Sequence, residues 1–171
     1  MRALIAALGV GLAAAPAAAT EIGAAMLGVE ARLEPDPLGG LDSDVGFGLD
    51  GLATRWRPIC AGVRIGLDPD SGGEGSSAVR SLETPLVLRG GVCAGERAMV
   101  HGWVGLGIGL AFVTTEVAGE SHTDVAVLPI GAIGVDVLAR LGRLAALAGL
   151  SAEISGDRWA GVLRFGLGSF G

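Results

Sequence analysis

The sequence contains no lysine, asparagine, glutamine or tyrosine, so all 12 of its basic residues are arginine. They are scattered, and the net charge is −6. A protein that tracks a phosphate backbone needs a basic stripe, so nucleic acid is excluded as a partner. Aromatic residues make up only 4%. The two histidines and two cysteines stand too far apart to give a metal-ligand spacing, and neither a metal nor another cofactor is indicated.

What the chain has is glycine, 31 residues of it, within a composition that is 50% hydrophobic and has a mean hydropathy of +0.58. The first stretch, MRALIAALGVGLAAAPAAAT, reads as an export signal. Arg2 supplies the positive start, Ala3 to Ala15 a short apolar run, and Ala17-Ala18-Ala19 a small-residue cleavage site. The run is too short for a membrane-anchoring helix, which needs about 20 apolar residues. We therefore expect a cleaved signal over 1–19 and one domain over 20–171, about 150 residues.

The most apolar interior stretch, HGWVGLGIGLAF, separates cleanly in steps of two. Gly102, Val104, Leu106, Ile108, Leu110 and Phe112 share one face; His101, Trp103, Gly105, Gly107, Gly109 and Ala111 share the other. A helix would scramble these sets, and each glycine inside a helix costs up to about 1 kcal/mol relative to alanine. The stretch is a strand. The same alternation recurs around Ile22–Leu33, Val45–Trp56, Cys60–Asp68, Leu82–Cys93, Asp124–Leu138, Arg143–Ile154 and Trp159–Phe170, which makes eight strands.

One face of each strand is aliphatic and the other small or charged. A soluble barrel would turn the glycine and alanine face to water, a poor surface. In a narrow membrane barrel the aliphatic face meets lipid and the small face lets strands curve around a filled interior. The fold class predicted is all-β: an eight-stranded antiparallel up-and-down transmembrane barrel. Its lumen would hold Glu30, Asp50, Glu83, Asp136 and Glu153 against Arg32, Arg64, Arg89 and Arg164. Buried charges must pair, and these nearly balance, so the interior reads as a polar plug and not a pore.

The links alternate in length. EPDPLGGLDSD, DPDSGGEGSSAVR and TTEVAGESHTD are long and mostly acidic, whereas RWRPI, AGERA and ARLGR are short and carry arginine. This is the rhythm of a barrel with long loops outside the cell and tight turns in the periplasm. Solvation explains the acid in the long loops; divalent cations bridging them to lipopolysaccharide is the sharper reading. Cys60 begins the third strand and Cys93 ends the fourth, both on the lumen face, so a hairpin brings them together and an exported protein would join them. Pro85 and Pro129 fall inside paired strands, where bulges are expected. Phe47, Phe112 and Trp159 are candidates for an aromatic belt at the outer rim.

The mature chain resembles the small outer-membrane β-barrel domains of Gram-negative bacteria. The resemblance rests on Ser81-Leu82-Glu83-Thr84-Pro85-Leu86, similar to a Glu-x-Pro-Leu strand common among them, and on Pro129-Ile130-Gly131 through Gly134-Val135-Asp136. It implies an eight-stranded antiparallel barrel, porin-like in architecture. It implies no single activity, since members include structural, adhesive and enzymatic proteins.

Other motifs dissolve on inspection. Gly46 to Gly51 satisfies G-x-G-x-x-G, yet no helix pattern follows it as a dinucleotide site requires. DPDSGGEGSSAV has Gly72 where a calcium loop needs Asp or Asn, and Val79 where it needs Glu. Glu120, Ser121, His122 and Asp124 supply the side chains of a hydrolytic site in composition alone. The function expected is therefore a non-enzymatic outer-membrane barrel with a structural or surface-interaction role. It would be a monomer in contact with outer-membrane lipid and lipopolysaccharide, delivered by the barrel-insertion machinery. Two alternatives stand beside it: an outer-membrane lipid hydrolase or acyltransferase using the third long loop, and a soluble periplasmic barrel holding a small apolar ligand.

Overall fold

The computed structural model describes residues 23–35, 40–54, 58–72, 77–95, 98–117, 120–156 and 158–170. The expected signal segment lies outside these residues. Eight strands follow one another: β1 (Ala24–Pro35), β2 (Leu41–Ala53), β3 (Ile59–Gly72), β4 (Ser77–Ala94), β5 (Ala98–Val117), β6 (Glu120–Leu141), β7 (Leu144–Ser155) and β8 (Arg158–Ser169). Each pairs antiparallel with the next, and β8 pairs with β1 to close the ring. No described helix is long and apolar enough to cross a membrane, and a barrel needs none.

The stagger of the ring follows from the pairing. A path of cross-strand partners from Ala24 passes through Leu52, Gly62, Arg89, Gly105, Ala132 and Glu153 to Ala160, and arrives beside Glu34, ten residues further along β1. Eight strands with this stagger tilt by roughly 40° and leave an interior just wide enough for side chains to fill. Every residue on that path faces the lumen.

The outward face is apolar. Leu106 is 75% exposed, Leu167 70%, Phe165 63% and Val104 62%, and the same alternation carries Val29, Phe47, Ile65, Leu88, Ile133 and Leu150 to the outside. A water-soluble protein does not expose a continuous apolar wall around its whole girth. This is the surface of a membrane-spanning barrel.

Three expectations are corrected. The strands run further than their alternation: β5 continues to Val117 and β6 begins at Glu120, so most of the third long link is a paired ribbon. The first and second links shorten likewise, because β2 begins at Leu41 and β3 continues to Gly72. Above the membrane both faces of a strand meet water, and the apolar period disappears while the hydrogen bonds persist. Second, neither proline makes a bulge. Partners opposite Pro85 and Thr84 are skipped and pairing resumes in the same register, with the Pro85 ring packed over Gly66, where a Cβ would stand 2.7 Å from its Cγ. Pro129 pairs with Ile108 on one side; on the other, β7 pairing begins at Ile130. Third, Phe47 is not a rim residue: it pairs with Val29 in mid-wall, as does Phe165 from the other side.

The wall is uneven. β4, β5 and β6 have 18, 20 and 22 residues, against 12 in β1, β7 and β8. The β5–β6 ribbon therefore stands above the rest of the outer rim, and Ser121 to Val127 are exposed on both faces. At the opposite end the fully described turn is tight. β6 and β7 join through Gly142 and Arg143, where a φ of +70° at Gly142 is one that a side chain would resist.

Candidate functional site

Among the described residues the lumen is where this fold concentrates charge away from water, and it is filled in layers. At the short-turn end lies a dry apolar floor: Met26, Leu52, Met99, Leu138 and Leu147 pack around the Cys60–Cys93 disulfide, with Phe170 against them. The cysteine Cα atoms are 5.9 Å apart, an ordinary separation for a disulfide, and Cys93 N–H donates to the Pro58 carbonyl at 2.8 Å. The sequence reading of a polar plug missed this floor.

Above the floor the even-numbered strands contribute a closed ring of alternating charge. Asp50 (β2), Arg89 (β4), Asp136 (β6) and Arg164 (β8) each meet two opposite charges. Arg89 lies 2.5 Å from Asp50 and 2.9 Å from Asp136; Arg164 lies 3.4 Å from Asp50 and 2.7 Å from Asp136. Trp103, from β5, places its ring against both guanidinium groups, 5.1 Å from each. A cation over an indole face gains further electrostatic stabilisation once desolvated. His101 sits fully buried beneath, its Nδ1 3.7 Å from Asp136.

A second layer comes from odd-numbered strands. Arg64 (β3) holds Glu30 (β1) through two nitrogens and reaches Glu153 (β7) with the third. Arg32 (β1) lies 3.5 Å from Glu153 and donates from Nε to Glu34 at 2.6 Å. Burying charges costs several kcal/mol per ion unless each finds a close partner. Apart from Glu34, which shares β1 with Arg32, the partners come from strands that are not hydrogen-bonded neighbours, so curvature and not strand pairing satisfies them.

Glycine makes the room. A Cβ at Gly48 would run into the Glu30 carboxylate, one at Gly149 into Asp136, and one at Gly134 would lie 2.6 Å from the Trp103 ring. The glycines of the inner face are thus sized to the charged side chains they oppose.

Of the nine charges expected in the lumen, eight enter these two layers; Glu83 stands half-buried at the mouth. Asp68, beside it, stands at the sequence's boundary between the third strand and its acidic link and was not counted among the lumen charges, yet it is 6% exposed and faces inward. The loop candidates do not form a hydrolytic site. His122 Nε2 is 3.2 Å from Asp124 Oδ1, but Ser121 and His122 are successive residues of a strand and point to opposite faces. Among the described residues no group of three or more His, Cys, Asp or Glu side chains is placed to hold a metal ion.

No protein-family model and no curated protein matches the sequence. Solved structures do. The attachment invasion locus protein Ail of Yersinia pestis aligns with a TM-score of 0.65 at 14% identity, over 87% of this chain and 97% of Ail. A major outer membrane protein of Thermus thermophilus aligns with a TM-score of 0.62 at 14% identity, over 85% and 98%. Neisserial surface protein A aligns with a TM-score of 0.53 at 11% identity, over 86% and 96%. Ail has also been solved in complex with the heparin analogue sucrose octasulfate. The chain thus has the fold of small outer-membrane barrels.

Proposed function

We propose that the protein is an outer-membrane barrel, sealed along its axis, whose role is structural or one of surface interaction. One observation carries this: a closed ring presents an apolar surface outward and a cross-paired charge network inward. A barrel turned the other way, soluble and holding an apolar ligand, would have to put Leu106, Leu167 and Phe165 in water.

Interaction then belongs to the outer rim and the tall β5–β6 ribbon, the parts of the chain beyond the apolar wall. The rim is acidic, with Glu34, Asp42, Asp44, Glu116, Glu120 and Asp124 on the strand ends. A sulfated polyanion of the kind that Ail accepts would meet repulsion here. Cations, including divalent ions shared with lipopolysaccharide phosphates, are favoured. Insertion by the barrel-assembly machinery and a monomeric state go with this reading.

The test is membrane fractionation followed by gel mobility in SDS with and without boiling. An outer-membrane barrel stays in the membrane pellet and migrates faster unboiled than boiled. Recovery in the soluble periplasmic fraction would overturn the reading.

A further inference from the structure

The carboxylates at the outward mouth of the lumen outnumber the cations there. Two of them face each other directly across β1 and β2, Glu34 opposite Asp42, and two more across β3 and β4, Asp68 opposite Glu83. Like charges directly opposite in a sheet are destabilising, so stability alone does not select such pairs. Asp44, opposite Arg32, adds a fifth carboxylate to the same inward side.

Arg32 is the cation they share. Its guanidinium is 2.6 Å from Glu34, 3.5 Å from Glu153 and 3.9 Å from Asp68. Of the three, only Glu34 accepts a hydrogen bond from it; Arg32 Nη1, itself without a hydrogen-bond partner among the described residues, stands too far from Asp68 to donate to it. Both Asp68 oxygens are buried and accept no hydrogen bond from the described residues, and neither does Glu153 Oε2. A buried carboxylate without a donor is costly. The carboxylates grade from exposed Asp42 through half-buried Glu34 and Glu83 to buried Asp68, a path leading inward from the mouth.

We propose that this mouth, between the β1–β2 and β3–β4 hairpins, binds a small organic polycation, a molecule with two or more ammonium groups of the polyamine class. The carboxylates are strung along the wall, and no described cluster gathers three of them around one point as an inner-sphere metal requires. An extended polyamine needs no such cluster: one ammonium group reaches Asp68 and Glu83 while another stays with Glu34 and Asp42. The proposal deepens the surface-interaction reading above and rests on it only in taking this rim as the outward one.

The experiment uses the full mature barrel in detergent micelles, so its result does not depend on cellular location. Spermidine is titrated while the unfolding midpoint is followed, against NaCl and MgCl2 at matched ionic strength. A saturable rise with spermidine, well above both salts, is expected. Asp68→Asn with Glu83→Gln should weaken the apparent affinity roughly tenfold or more. These substitutions remove like-charge repulsion, so the barrel should still fold, as unboiled gel mobility will show. Asp124→Asn, on the ribbon away from the mouth, should leave binding unchanged. An equal rise with magnesium or sodium, or spermidine binding indifferent to Asp68→Asn with Glu83→Gln, would overturn the proposal.

Discussion

Arg64 on β3 and Glu153 on β7 meet through the barrel axis, joining strands that stand diametrically opposite in the ring. No sheet contact brings these strands together; the guanidinium and carboxylate span the interior. Arg64 also holds Glu30, so one side chain ties three strands.

Arg64→Met should therefore be among the most damaging lumen substitutions. It leaves Glu30 buried without its cation and Glu153 with only Arg32, 3.5 Å away, and the expected loss is about 3–5 kcal/mol. Adding Glu153→Gln to Arg64→Met should recover part of that loss, because the second charge is removed. Urea unfolding in detergent measures both, and strict additivity would contradict the coupling.

The glycine face offers a steric test. Gly48→Ala and Gly149→Ala each place a methyl against a carboxylate of the network and should cost about 1–3 kcal/mol. Gly131→Ala, which points into open space on the outward face, should be neutral or mildly stabilising in the same assay.

The outward face distinguishes a membrane barrel from a soluble one. Leu106→Arg, in the middle of the wall, should cost roughly 2–4 kcal/mol of folding free energy in a lipid bilayer. A soluble barrel would accept the same change with little effect, or gain solubility from it.

The disulfide joins Cys60 and Cys93 across a separation of 33 residues. Replacing both by serine should lower stability by about 3–4 kcal/mol on the chain-entropy account, without preventing barrel formation. Comparing urea midpoints of the oxidised protein, the reduced protein and the double variant checks this.

The apolar floor predicts a sealed lumen. Purified protein in a planar bilayer should carry no steady current, since Met26, Leu52, Met99, Leu138 and Leu147 leave no polar path at the short-turn end. A reproducible unit conductance would show that the floor opens.

The eight strands were legible because lipid imposes a strict period: wherever one face must be apolar, alternation appears in the residues. That is why Val104, Leu106 and Ile108 could be separated from Gly105, Gly107 and Gly109. The same logic hid the strand ends. Thr114 to Val117 and Glu120 to Asp124 meet water on both faces, so nothing in their composition marks them as paired. Asp68 was lost for the same reason, as it lies where the alternation fades into an acidic link. The charge layers were out of reach because parity assigns a face but not a height. Only the ten-residue stagger places Asp50, Arg89, Asp136 and Arg164 at one level. Trp103 was the available clue, a bulky aromatic among glycines on the lumen face.

The ring of Asp50, Arg89, Asp136 and Arg164 draws its members from every second strand, so none of its four contacts exists between hydrogen-bonded neighbours. A flat sheet with all its hairpins in place, but with β1 and β8 still apart, would hold these charges near the surface with their partners out of reach. Neutralisation arrives with closure and not before. The interior thereby acts as a proofreading device for assembly: a half-formed barrel, or one closed in the wrong register, carries unmatched arginines that lipid will not tolerate.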